Sequence, residues 1–149
     1  RGSAVEGAAP FAIETAASGR ANCRQCGSPI SKGTLKVCVS AWSRGGRISA
    51  NHHLACFVDR LKVELCPSNR GKCKHSGAAF TKGEPRVGYP TTSGDEFAWI
   101  CLESATSLLP RIVTARPAWV VEKLGGYGAL PASQAEDVSR RFGQAQGGA

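Results

Sequence analysis

The sequence contains no methionine, and aromatic residues make up only 7% of its 149 residues. It also lacks an apolar run close to the ~18–20 residues that a membrane-spanning helix needs, which excludes a membrane protein of that kind. The length is too short for a large catalytic fold such as a barrel of about 250 residues. A chain of this length can bury enough surface for one domain or for two very small ones.

Acidic residues are scarce, with 11 Asp and Glu against 19 Lys and Arg, so the net charge is +8 and the pI is about 9.4. This balance favours an anionic partner, of which nucleic acid is the commonest. Residues 1–60 are the more basic part, with a net charge of +5 against +3 for residues 61–149. We therefore expect the first part of the chain to make the main contact.

Recognisable catalytic motifs are also missing. The sequence has no Gly-x4-Gly-Lys-Ser/Thr loop for phosphate and no acidic pair typical of a hydrolase. Its histidines stand beside cysteines that are better explained as metal ligands than as nucleophiles. We therefore predict that the protein is not an enzyme.

A repeat with a spacing of fifty residues organises the chain. When the chain is aligned with itself at this spacing, the match continues over about 27 residues without a gap. Cysteine then falls on cysteine, glycine on glycine and basic residues on basic residues. Examples are Cys23 with Cys73, Gly27 with Gly77, and Lys32-Gly33 with Lys82-Gly83. The sequence is therefore interpreted as two copies of one small module.

The seven cysteines indicate metal binding rather than disulfides. Their number is odd, and Cys23-x2-Cys26 is followed after 26 residues by His53-x2-Cys56. Two such pairs supply the four ligands of a tetrahedral zinc site, and a site with four protein ligands is structural rather than catalytic. His52 is the competing ligand; His53 is preferred because its spacing mirrors the first pair. Unpaired thiols also indicate a reducing compartment.

The residues around this site resemble the zinc finger of poly(ADP-ribose) polymerases, strongly over about residues 11–60 and weakly over 61–142. The segment from Gly126 to Leu130, with Glu136-Asp137, is similar to the closing part of that finger. The resemblance implies a small α+β zinc-binding fold in two tandem modules, each a short antiparallel sheet with one or two helices. The matching segments of the first copy are Phe11–Glu14, Ser18–Cys26, Lys32–Lys36 and His53–Phe57.

The same resemblance implies recognition of DNA ends, nicks and strand breaks. By position, Arg20, Arg24 and Lys36 would contact phosphates, and Trp42 or Ile48 would stack on exposed bases. The basic run Arg70, Lys72 and Lys74 matches the Arg20–Arg24 region, so the repeat predicts a second phosphate-contacting edge.

The second copy departs from the ligand pattern. Cys73 matches Cys23 and Ser76 replaces the second cysteine, while Cys101 is aligned with Cys56 and Ala98 with the histidine. One interpretation is a rearranged second zinc site; the preferred one is a metal-free copy held by its apolar core. The ligands of the rearranged site would be Cys66, Cys73, His75 and Cys101.

We expect a disordered or processed N-terminus at 1–10, a first finger at 11–60, a second, degenerate finger at 61–142 and a tail at 143–149. Strands are expected at 34–39 and 85–88, and a final helix capped by Ser133 at about 134–142. Because the chain starts at Arg1 without methionine, it is interpreted as truncated, tagged or processed.

Two functions remain open. The first is a nuclear, zinc-dependent DNA-binding module of DNA repair. The alternative is a structural subunit that uses the finger fold as a scaffold, with protein partners in a larger assembly, in the mitochondrial or chloroplast matrix.

Overall fold

The computed structural model describes residues 9–43, 45–92 and 96–147, except for the side chains at 41–43, 47 and 145–147. Most of the expected N-terminal segment, residues 1–8, and the tip of each main hairpin lie outside this description. None of the helices described is both long and apolar enough to cross a membrane.

Two antiparallel sheets of three strands each form the framework of this α+β chain. The first contains β1 (Phe11–Thr15), β2 (Leu35–Ser43) and β3 (Gly46–His53), in that order across the sheet. The second repeats the order with β4 (Lys62–Leu65), β5 (Pro85–Pro90) and β6 (Phe97–Cys101). Strands β2 and β5 thus run beyond the predicted ends at Val39 and Gly88.

A short helix follows each sheet: α1 (Leu54–Val58) after β3 and α2 (Leu102–Leu108) after β6. Pro110 then starts α3 (Pro110–Thr114), at a position where the missing N–H of proline costs nothing. Two single 3₁₀ turns at Val121–Lys123 and Tyr127–Ala129 lead into the last helix.

The last helix, α4 (Ala132–Gly147), corrects two predictions. It begins at Ala132, so Ser133 lies inside the helix rather than capping it. It also continues through most of the segment predicted as a tail, because no proline stops it before Gly147. Its buried residues Val138 and Phe142 hold it on the core, where Phe142 contacts Trp119.

The two sheets share one hydrophobic core. Phe11 of the first sheet packs edge-on against Tyr89 of the second, with ring centroids 4.8 Å apart, and Phe57 of α1 lies against both rings. The buried His52 bonds across to the carbonyl of Thr91 at 2.8 Å. Only Asp59 to Leu61 separate α1 from β4, so the halves are directly joined.

Candidate metal centre and nucleic-acid interface

The four residues predicted as zinc ligands meet at one place. Cys23 and Cys26 come from the turn after β1, His53 ends β3, and Cys56 lies in α1. Their ligand atoms all lie within 4.8 Å of one another, and within the described part of the chain no other group of three or more Cys, His, Asp or Glu does so. Four ligands bound to a tetrahedral zinc ion lie about 3.3–3.8 Å apart. The Nδ1 of His53 lies 3.2 Å from the Cys26 Sγ and 3.7 Å from the Cys56 Sγ, which fits that geometry.

Hydrogen bonds orient the ligands before any ion binds. The Nε2 of His53 lies 3.1 Å from the Pro29 carbonyl. Because a carbonyl only accepts, Nε2 carries the proton and Nδ1 presents its lone pair to the cluster. The Sγ of Cys23 accepts the backbone N–H groups of His53 at 3.3 Å and Gln25 at 3.4 Å. A one-ion site of three cysteines and one histidine is therefore present, and its soft donor set suits zinc.

The competing ligand, His52, faces the other way. Its side chain is fully buried beside Phe57, and its Nε2 donates to the Thr91 carbonyl. Burial lowers the pKa of His52 to about 4, so the ring is neutral in the folded protein at neutral pH. The alternation of side chains along β3 explains the outcome, because neighbours on a strand point to opposite faces.

The thiols of the cluster need a cation to ionise together. A hydrogen bond from the Ser28 backbone lowers the pKa of Cys26 to about 6. Burial, and then the nearby Cys23, raises the pKa of Cys56 to about 12. A divalent metal ion held by these residues would supply the positive charge that lets Cys26 and Cys56 both act as thiolates.

The first basic edge lies beside this metal centre. The backbone N–H of Arg24 donates to the Asn51 carbonyl at 2.9 Å, and the Nζ of Lys36 donates to the Asn51 Oδ1 at 3.1 Å. Arg20 and Arg24 are exposed, and Lys36 is half-buried. None of the three forms an ion pair with another described residue. Their charges remain available to phosphate groups.

The two residues predicted to stack on bases lie on the hairpin formed by β2 and β3. Ile48 is half-buried and pairs with Ala41 across that hairpin. The backbone of Trp42 lies in β2 opposite Arg47, whereas its side chain and all of Arg44 lie outside the described residues. The stacking role stays a prediction.

The second basic edge is equally exposed. Arg70, Lys72 and Lys74 all face solvent, and none is ion-paired within the described residues. The counterpart of Lys36 differs, because Arg86 is bound to Glu64 at 2.5 Å and stacks 4.2 Å from the ring centre of Trp99. Among the described residues, this edge therefore offers three cations that are not ion-paired, whereas the charge of Arg86 is balanced by Glu64.

The strand registers correct the alignment of the second copy. Lys36 pairs with His53 in the first sheet, and Arg86 pairs with Cys101 in the second. Cys101 therefore occupies the position of His53, not that of Cys56, and Ala98 has no ligand counterpart. Counted from Arg86 to Cys101, the second hairpin is two residues shorter than the first, counted from Lys36 to His53, so the spacing of fifty residues does not hold beyond it. Ser104 holds the place of Cys56.

The four residues proposed for a rearranged zinc site do not form a cluster of the same kind. Cys66 is buried one residue after β4, where its N–H and carbonyl bond to Glu84 and Gly83. His75 bonds through Nδ1 to the Ser104 Oγ at 3.0 Å. Cys73 is buried, which alone would raise its pKa, but hydrogen bonds with Ser104 and Ser76 lower it to about 6. The sequence alignment did not identify Ser104 as the counterpart of Cys56, because it placed Cys101 at that position.

Comparison with known proteins gives one partial match. The chain is 36% identical over 62 residues to poly [ADP-ribose] polymerase 1 of Gallus gallus. The match covers 40% of this chain but only 6% of that much longer protein. No protein family model matches the chain. This similarity and the Cys/His cluster together suggest a finger of the poly(ADP-ribose) polymerase type.

Proposed function

We propose that the chain is a zinc-dependent nucleic-acid-binding module that recognises DNA ends and strand breaks, in the nucleus and in the context of DNA repair. The observation that carries this proposal is the position of the basic edge. The Arg24 backbone and the Lys36 side chain both bond to Asn51, two residues before the ligand His53. Metal binding would therefore fix the backbone at Arg24 and the side chain of Lys36 beside the site.

The metal has a structural role in this proposal. Four protein ligands complete a tetrahedral site and leave no open position for a substrate. Backbone phosphates would bind the cations of the first edge, while a residue of the β2–β3 hairpin would stack on the bases that a break exposes. The proposed function involves no catalytic step.

Fluorescence anisotropy with nicked, blunt-ended and closed circular duplexes tests this function. The zinc-loaded chain should bind the nicked and blunt duplexes more tightly than the closed one. Each phosphate contact contributes about 0.9 to the slope of log K against log salt. The double variant Arg20→Gln/Arg24→Gln should therefore bind more weakly and lose about 2 from that slope.

Lys123→Gln is the matched control, because Lys123 is an exposed cation on a 3₁₀ turn away from the metal centre. It should leave both affinity and slope unchanged. Undetectable binding to every duplex at low salt, with zinc bound, would refute the proposed function.

A second candidate is a structural subunit of a larger assembly, and an apolar groove supports it. The groove has a volume of about 610 Å³ and lies beside the metal centre, lined in part by Leu35, Leu54 and Pro117. Leu35, one of the residues that line this groove, is 43% exposed. Size-exclusion chromatography separates the candidates: a DNA reader elutes as a monomer, whereas a scaffold self-associates unless Leu35→Glu removes the apolar contact.

A further inference from the structure

The second half of the chain keeps the backbone of a metal site. The N–H of Gly77 bonds to the Cys73 carbonyl as that of Gly27 bonds to the Cys23 carbonyl, both at 2.9 Å. The N–H of Cys101 points to the Cys73 Sγ at 3.3 Å, as the N–H of His53 does to the Cys23 Sγ. A helix follows in each case, so the four ligand positions of the first half have four counterparts here.

The side chains at those counterparts converge as ligands do. The Sγ atoms of Cys73 and Cys101 both lie 3.4 Å from the Ser104 Oγ, and the Ser76 Oγ lies 3.9 Å from the Cys101 Sγ. Ligands around a tetrahedral ion are separated by about 3.3–3.8 Å. The spacing of this cluster is therefore close to that of the first site, with two sulfurs and two hydroxyl oxygens in place of three sulfurs and one nitrogen.

We propose that Cys73, Cys101, Ser76 and Ser104 form a second metal site, weaker than the first and selective for thiophilic ions such as Cd²⁺ or Zn²⁺. Two soft sulfurs supply most of the binding, since neutral hydroxyl groups are poor ligands for such ions. A dication binds both sulfurs as thiolates, and any proton that they still carry goes to solvent, so the step is balanced without any redox change. The Sγ–Oγ hydrogen bonds give way to metal bonds.

Two nearby groups define the limits of this site. His75 bonds to the Ser104 Oγ from outside the four positions, so it orients that hydroxyl rather than replacing it. Cys66 corresponds to Ala16 of the first half, which is not a ligand, and its backbone bonds repeat those of Ala16. Cys66, which was expected from the sequence as a fourth ligand, is therefore not part of this site.

Native mass spectrometry and ¹¹³Cd NMR of the full chain with excess Cd²⁺ test the proposal. We expect two ions per chain and two resonances, because the two donor sets differ. Cys101→Ser should lose one ion and one resonance while keeping the signal of the first site. Cys66→Ser and Cys38→Ser remove cysteines outside the cluster and should keep both ions.

Alkylation of the unmodified chain provides a measurement that needs no variant. Excess Cd²⁺, compared with one equivalent, should slow the reaction of Cys101 with iodoacetamide. A single ion per chain at every Cd²⁺ concentration would overturn the proposal. So would a second ion that persists in Cys101→Ser, or an unchanged rate at Cys101.

Discussion

At the scale of single residues, the first metal centre depends on where four side chains point. The Nδ1 of His53 is aimed at the cluster because its Nε2 is bound to Pro29, and the Cys23 Sγ is held by two backbone N–H groups. Removing one ligand leaves three others without an ion to balance their charges. The ligands are therefore coupled, and the loss of one should resemble the loss of all.

We predict that Cys56→Ala abolishes zinc binding and unfolds the first sheet. Structural zinc contributes an apparent binding free energy of about 10–16 kcal/mol, more than a small domain can lose. Metal analysis by atomic emission and hydrogen exchange across residues 11–58 measure both effects. Cys38→Ser is the control, because Cys38 bonds to Asn51 and is not one of the four clustered residues. Full zinc content in Cys56→Ala would contradict this prediction.

The second cluster allows a gain of function to be predicted. Ser76→Cys/Ser104→Cys places thiols at the positions of Cys26 and Cys56, which completes four sulfur ligands with Cys73 and Cys101. This variant should bind two zinc ions per chain when two equivalents of zinc are supplied, without the larger excess of metal that the unmodified cluster requires. Ser107→Cys is the control, because it adds a thiol on the exposed side of α2, outside the four positions, and it should still bind one zinc ion under the same conditions.

The first ligand set could be predicted from the sequence because two pairs with a spacing of two residues define a knuckle each. The second could not be aligned by spacing alone. Cys101 is equivalent to His53 only when the shorter hairpin between β5 and β6 is taken into account, and hairpin length is set by backbone pairing. One signal was available: Leu54 and Leu102 each follow the aligned residue and begin a helix.

At the scale of elements, the segment that joins the two 3₁₀ turns covers the open edge of the second sheet, along β4. Gly125 bridges to Lys62 of β4, and its carbonyl accepts the Val63 N–H at 2.8 Å. Gly126 has a φ of +81°, and a Cβ there would lie 2.6 Å from the Val63 carbonyl oxygen. Only glycine allows so close an approach of two backbones.

Gly126→Ala should therefore lower the free energy of unfolding by about 1–3 kcal/mol from backbone strain alone, with the overlap at Val63 adding to it. Gly128→Ala is the matched control, since a Cβ at Gly128 meets nothing within 4 Å. Chemical denaturation of both variants checks the difference. If the two variants had equal free energies of unfolding, the close backbone contact between Gly126 and Val63 would not matter for stability.

Two strands and the last helix had been predicted with bounds, and the errors in these predictions lie at the ends of the elements. The strands around residues 35 and 85 were predicted as the segments that follow the two Lys-Gly turns, but β2 and β5 extend further because each continues into its hairpin. Helix α4 starts before its predicted cap because Pro131 already fixes the first turn, where its carbonyl accepts the Ala135 N–H at 2.9 Å. Such ends depend on backbone partners that a local pattern does not contain.

At the scale of the whole molecule, the two halves are held together by an aromatic cluster that the repeat alone would not predict. Tyr89 is 1% exposed and lies against Phe11 and Phe57 of the other half. Its partner position in the first sheet is Val39, so the two sheets do not contribute equivalent residues to their shared core. The second half therefore supplies Tyr89 to cover Phe11 and Phe57, which belong to the first half.

We predict that Tyr89→Ala destabilises both halves together, by about 3–5 kcal/mol. Thermal unfolding should remain a single transition, with the near-ultraviolet signal and zinc release following the same curve. Leu65→Ala is a suitable comparison, because Leu65 is only half-buried at the end of β4. Two separate transitions in the unmodified chain would contradict the shared core.

The three residues between α1 and β4 have a practical consequence for anyone who dissects this protein. A fragment ending near Arg60 would retain every zinc ligand of the first half, yet it would leave Phe11 and Phe57 facing water where Tyr89 now covers them. If such a fragment did not bind DNA, the cause would be the loss of its folded structure and not the loss of a DNA contact. Point substitutions in the intact chain, and not deletions, are the way to assign a role to either half.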